Sequence, residues 1–170
     1  MEASKKEAAR KKSLGELGEL FAIKALVDEE FDEIRNLNDD KMNEAFADLL
    51  CKKDGETYIV SVKARNKFQK NGTENKRYNL GSNAYEKAAF AEKKYGATAC
   101  WMAIQFDKNL FSIYFGSLLE LKRGNAIPID KCQKGEIGKI FVKNKRHYFD
   151  FDFYTNQISV PVDSPLRYHA

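Results

Sequence analysis

The chain predicts a single α/β domain in which helices flank a central mixed β-sheet. Three observations carry this. Its 170 residues include 43% hydrophobic and 32% charged side chains, the ordinary balance of one soluble globular domain. Helical and strand-like periods follow one another in the order helix, strands, helix, strands, with no repeat or linker dividing them. Near the middle, two β-prone runs flank Asp54-Gly55, the strongest short hairpin signal.

The elements follow in order. Residues 1–12 read as a basic N-terminal arm, frayed or helical, with Lys5, Lys6, Arg10, Lys11 and Lys12 against Glu2 and Glu7, a net +3. The single domain is expected over 13–170. Ser13-Leu-Gly-Glu16 has the form of a capping box, so a helix is predicted from Ser13 through Leu17, Phe21, Ala22 and Leu26 to Val27 or Glu30. Glu16 is thereby given a structural role. Phe31 to Leu37 reads as a short strand or extended link, and the hairpin spans 48–63. Residues 66–82 are rich in Asn, Gly and Lys; so long a loop in a compact domain points to function or disorder.

Asn83 to Tyr95 reads as a helix stopped by Gly96. Strands are predicted at 99–106 and 111–116, joined by Asp107-Lys108-Asn109, then a helical turn at 117–122. A late hairpin of 137–142 with 146–154 is expected to turn about Asn144. Trp101, Phe106, Tyr114 and Phe115 fall in strand patterns and are assigned to the core.

Several chemistries are disfavoured. No apolar run approaches membrane-spanning length, and no hydrophobic segment follows the charged N-terminus, so no membrane partner is expected. Cys51, Cys100 and Cys132 are widely spaced and odd in number, which suits neither a disulfide framework nor a zinc site and fits a reducing cytoplasm. With His147 and His169 as the only histidines, any metal should be hard and oxygen-bound, Mg²⁺ or Mn²⁺.

The hairpin register supplies the candidate site. If Asp54-Gly55 is a two-residue loop, paired residue numbers sum to 109, and Asp48 stands opposite Ser61. Side chains alternate along a strand, so Lys63 shares the face of Ser61, one diagonal step from Asp48. The other face collects Ala47, Leu49, Val60 and Val62. An acid and a lysine thus converge on one side of a hairpin whose reverse is apolar.

Gly15-x-x-Gly18-Glu19 on a helix, then Asp48, then Ser61-Val-Lys63-Ala-Arg65, resembles the PD-(D/E)xK nuclease superfamily, which includes Holliday junction resolvases and type II restriction enzymes. The resemblance covers roughly residues 14–120 and implies a restriction-endonuclease-like core and metal-dependent hydrolysis of DNA phosphodiester bonds. It implies Asp48, Glu19 and the Val62 backbone carbonyl as metal ligands and Lys63 as the residue that positions the attacking water. Glu19, at helical spacing with Ala22, Ile23 and Leu26, would instead form a salt bridge to Lys63 if no metal binds. The family pattern has Asp or Glu where this chain has Ser61. Some members carry that acid on the following helix, so Glu86 is the candidate replacement, with Glu92 behind it.

Residues 61–80 hold Lys63, Arg65, Lys67, Lys70, Lys76 and Arg77 against the single Glu74, a net +5 that suits a polyanion. Arg65, Lys67, Lys70, Lys76 and Arg77 are assigned to DNA phosphates, with Phe68 or Tyr78 stacking on a splayed base. By resemblance the active form is a homodimer. The Ser61 substitution motivates two alternatives, a nucleic-acid-binding module on a degenerate nuclease fold and a scaffold subunit of a larger complex.

Overall fold

A computed structural model describes residues 2–39, 44–152 and 157–159. Six strands form one mixed sheet in the order β1 (Asp32–Asn36), β2 (Leu49–Lys53), β3 (Glu56–Asn66), β5 (Thr98–Asp107), β6 (Leu110–Ser117) and β8 (Lys139–Arg146). Every neighbouring pair is antiparallel except β3 and β5. A parallel pair cannot be closed by a tight turn. Here the crossover is made by the 67–83 segment, which contains β4 (Arg77–Asn79), and by helix α2 (Ala84–Tyr95). The short β4 pairs with β7 (Ala126–Pro128), which leads into the one-turn α3 (Ile129–Gln133); β9 (Asp150–Asp152) pairs with β10 (Gln157–Ser159).

Both faces of the sheet are covered. Helix α1 (Glu2–Asp28) buries Leu17, Ala22 and Leu26 against Leu49, Val60, Ala64, Met102 and Ile104. Helix α2 buries Ala84, Ala88 and Ala91 against Ile59, Trp101 and Ala103 on the opposite face. β5, lying between two neighbours and under two helices, is accordingly apolar along nearly its whole length. Trp101, Phe106 and Tyr114 are buried and Phe115 half-buried, in line with their assignment to the core.

The hairpin arithmetic holds through the paired residues 49–60, and Asp48 lies just beyond them. The pairs run from Leu49–Val60 to Lys53–Glu56 without a slip. Asp54 and Gly55 both have positive φ, 51° and 80°, as the right-handed twist of a two-residue hairpin demands. One assignment of faces differs. Ala47 packs on the α2 side with Ile59, not with Leu49 and Val60, because it precedes β2 and so escapes the strand's alternation.

Two boundaries are corrected. α1 starts at Glu2, so Ser13 caps nothing; its hydroxyl donates to the Ala9 carbonyl at 3.0 Å, one turn back. Ala, Lys, Arg and Glu between residues 2 and 12 are strong helix formers, and the Glu7–Arg10 pair at 3.3 Å adds local support, so the helix extends past the serine. Asn144 likewise is no turn. It lies within β8 at φ 46° beside an irregularity in the β6–β8 register, and its backbone N–H donates to the Ser112 hydroxyl at 2.9 Å. A single left-handed residue there makes a bulge that bends the strand without reversing it. Tyr154, expected in the late hairpin, lies outside the described residues.

Candidate active site

The site forms where β2 and β3 part. At Asp48 the backbone N–H still donates to Val60 O at 2.9 Å, but the Asp48 carbonyl has turned to accept from Leu37 N at 2.9 Å. The Val62 N–H, left without a strand acceptor, donates instead to Asp48 Oδ2 at 2.7 Å. One carboxylate oxygen therefore replaces the missing ladder bond and locks the side chain at the fork. A residue's N–H and C=O lie on the same edge of its strand, so the Val62 carbonyl opens toward the fork as well.

Glu19 reaches this fork from α1. Gly18 is the reason it can: a Cβ at that position would sit 2.4 Å from the Ala64 Cβ, so only glycine lets helix and strand approach so closely. Gly15, by contrast, faces open space. Glu19 is held by two asparagines, with Asn36 Nδ2 donating to Oε2 at 2.9 Å and Asn38 Nδ2 to Oε1 at 3.0 Å. Asn38 also helps to hold the Asp48 carboxyl down, so the same side chain acts on both acids. Glu19 is thus seated by Asn36 and Asn38 rather than by a salt bridge to Lys63.

The electrostatics are those of a strained pair. Burial pushes the Asp48 carboxyl above its ordinary range, and the Val62 N–H and the Lys63 charge draw it part of the way back. Burial also pushes Glu19 up, opposed by the Asn36 hydrogen bond and reinforced by Asp48. Lys63 is half-buried and pushed down by desolvation; Asp48 opposes this, while Arg65 and Lys87 add to it. Two half-buried acids, each raised by burial and Glu19 further raised by Asp48, are a natural seat for a cation, and their donors are all hard oxygens. The residues at the fork fit a divalent cation through Asp48, Glu19 and the Val62 carbonyl. Among the described residues no third Asp, Glu, His or Cys joins them.

Ser61 and Glu86 account for that shortfall. Ser61 is 2% exposed, sealed under the α2 side of the sheet. Glu86 is not brought to Asp48. With 3.6 residues per turn it sits on the side of α2 opposite Ala84, Ala88 and Ala91, exposed beside Arg123 and Asn125. Glu92 is structural, accepting from the Ala99 N–H at 2.9 Å.

The basic segment divides. Arg65, Lys76 and Arg77 are exposed, and Arg77 Nη2 donates to Asn125 Oδ1 at 3.1 Å. Phe68 is 48% exposed with the Lys67 ammonium 5.4 Å from its ring centre. Lys67 also faces Asp107 at 3.6 Å, and Lys70 contacts Glu7 of α1 at 3.2 Å. Tyr78 is corrected: it is fully buried in β4, its ring faces taken up by the core, so it presents no stacking surface. The segment is folded back on itself through a Phe68–Glu74 bridge and the Asn75 side chain, which donates to Asn66 O at 2.7 Å. Sequence reasoning missed Asn36, Asn38 and Lys87. For the asparagines the available signal was their spacing about the buried Leu37, which sets both on one side of the chain.

No protein-family model matches the chain, and no curated protein matches it. Among solved structures it is similar to Hjc, a Holliday junction resolvase from Archaeoglobus fulgidus, at 15% identity and a TM-score of 0.51. The likeness covers 71% of this chain and 88% of the resolvase. At that identity the fold is what is shared. The chain is a single α/β domain whose six-stranded mixed sheet, flanked by helices, has the restriction-endonuclease-like architecture of that resolvase.

Proposed function

We propose that the protein is a metal-dependent endonuclease of the PD-(D/E)xK type that hydrolyses DNA phosphodiester bonds. One observation carries the reading: Asp48, pinned by the Val62 N–H, shares a fork with Glu19 and has the charge of Lys63 beside it. Asp48, Glu19 and the Val62 carbonyl would hold Mg²⁺ or Mn²⁺. When bound, such an ion supplies Lewis acidity and a water that ionises more readily.

This chain's own residues do the rest. Asp48 and Glu19 orient the reacting groups through the Val62, Asn36 and Asn38 hydrogen bonds that fix their carboxylates. Lys63 donates to the attacking water and to the phosphoryl oxygen on which charge grows. The water oxygen bonds to phosphorus and gives up a proton to solvent as the opposite P–O bond breaks, and solvent protonates the leaving alkoxide. Arg65, Lys76 and Arg77 contact flanking phosphates, and Phe68 offers a ring to an unstacked base. A homodimer would cut both strands of a duplex or branched substrate. Three buried, unpaired cysteines, each thiol pushed up to about 12 by burial, suit a reducing cytoplasm.

Cleavage of duplex, four-way-junction and single-stranded DNA with Mg²⁺ or Mn²⁺ tests this. Nicking by the wild type that is lost in Asp48→Ala and in Lys63→Ala is expected; activity surviving both substitutions would reject the site. The buried Ser61 and outward Glu86 favour a second reading, a nucleic-acid-binding module without turnover. It predicts salt-dependent DNA binding and no cleavage with any divalent ion.

A further inference from the structure

α2 was expected to bring negative charge to the fork, and it brings positive charge instead. The helix covers the face of β3 that carries Ser61 and Lys63. Ala84, Ala88 and Ala91 form its buried side, and their small side chains let it sit close to the sheet. Lys87 lies about 60° from Ala84 and about 40° from Ala91 around the axis, on the flank of that buried side. Its neighbour Glu86 lies about 100° further round, pointing away. Lys87 is half-buried, as its position requires.

Lys87 is also close enough to Lys63 to act on its charge, as is Arg65 two residues along β3, while Asp48 is the acid that offsets them. Among the described residues Lys87 makes no ion pair, whereas Lys94 on the same helix is matched by Glu44 at 3.2 Å. Half-buried Lys63 and Lys87, with exposed Arg65 beside them, leave an excess of positive charge over the one carboxylate that offsets Lys63. Such a cluster costs stability until an anion enters it, and lysine and arginine together suit a tetrahedral oxyanion with several acceptor oxygens. Among the described residues nothing supplies that anion, and a phosphodiester drawn to Asp48 and Lys63 would.

We propose that Lys87 joins Lys63 and Arg65 in a three-cation cradle that holds the non-bridging oxygens of the phosphate undergoing attack. The inference deepens the nuclease reading, on which its substrate class rests. Lys87 is then a phosphate-binding residue, and α2 contributes substrate affinity where some members of the PD-(D/E)xK superfamily contribute a metal ligand.

The test needs no turnover. Inorganic phosphate is titrated into metal-free protein by ³¹P NMR, and duplex DNA by fluorescence anisotropy across a range of salt. The variants are Lys87→Met, Lys87→Gln and Lys87→Arg, with Lys93→Met, an exposed lysine on the far side of α2, as control. Lys87→Met and Lys87→Gln should weaken phosphate about tenfold and lower the DNA salt slope by about 1. Lys87→Arg should retain most of the affinity, and Lys93→Met should bind phosphate like the wild type. Phosphate binding unchanged in both neutral variants, or weakened equally by Lys93→Met, overturns the cradle. Wild-type protein that binds phosphate through Lys87 yet cleaves nothing overturns the nuclease reading and leaves the cradle intact.

Discussion

The two ends of the β2–β3 hairpin obey different rules. At the turn end the pairing runs without a slip from Leu49 to Lys53, Asp54 and Gly55 take the twist the hairpin needs, and Lys52 is matched by Glu33 at 2.8 Å. At the open end the ladder breaks at Asp48, a carboxylate substitutes for a backbone acceptor, and two acids and a lysine are held in settings that disfavour their charges. The first end is built for stability. The second gives up stability to hold charged groups close together, which is the usual mark of a functional site.

Substitutions at the two ends should therefore differ in kind. The largest effect is expected where the open end is clamped by α1. Gly18→Val would drive a side chain into Ala64, a contact that even a lone Cβ cannot make, and should cost about 3 kcal/mol. That is a fall of roughly 6–12 °C in Tm by thermal denaturation, with loss of cleavage because Glu19 moves too. At the turn end, Gly55→Ala places a side chain at φ 80° and should cost about 1–2 kcal/mol. Its divalent-ion affinity at fixed temperature should stay at the wild-type value; a large drop there would erase the distinction between the ends.

Asp48→Asn should do the reverse of Gly55→Ala. The amide oxygen still accepts from Val62, while the cost of a desolvated carboxylate disappears. Because burial raises the Asp48 carboxyl, its protonated form favours the fold: that contribution is complete below the ordinary value of 3.8 and is lost as pH rises through the raised value. Metal-free wild type should lose stability over this interval, and Asp48→Asn should lose less, ending about 2 °C higher in Tm at neutral pH. A lower Tm for the variant at neutral pH would mean that Asp48 is a stabilising residue like those at the turn. The smallest effect is expected from Glu86→Gln, with no change in Tm, ion binding or cleavage beyond error.

How legible each end was follows from the range of its interactions. The two-residue turn fixes the register by counting, so the meeting of Asp48 and Lys63 could be read from residues 48–63 alone. Glu19 was legible through the helical period and Gly18 through the motif that carries the resemblance, although the Ala64 contact that explains the glycine joins residues far apart in sequence. Asn36 and Asn38 were legible only as two residues on one side of Leu37, because their role depends on the end of β1 meeting a helix seventeen and nineteen residues earlier. Glu86 misled because whether it faces the fork depends on the phase of α2. Ala84, Ala88 and Ala91 set that phase, and one residue's shift turns a side chain by about 100°. Ser13 misled because its hydroxyl can bond one turn back inside a helix as readily as it can begin one.

A Mn²⁺ titration followed by electron paramagnetic resonance tests the central claim most directly, that the open end is a cation-binding centre made by Asp48 and Glu19. The account predicts one saturable ion in the wild type, undetectable in Asp48→Asn, weakened about tenfold or more in Glu19→Gln, and unchanged in Glu86→Gln. Binding that survives Asp48→Asn and Glu19→Gln, or is abolished by Glu86→Gln, would contradict it.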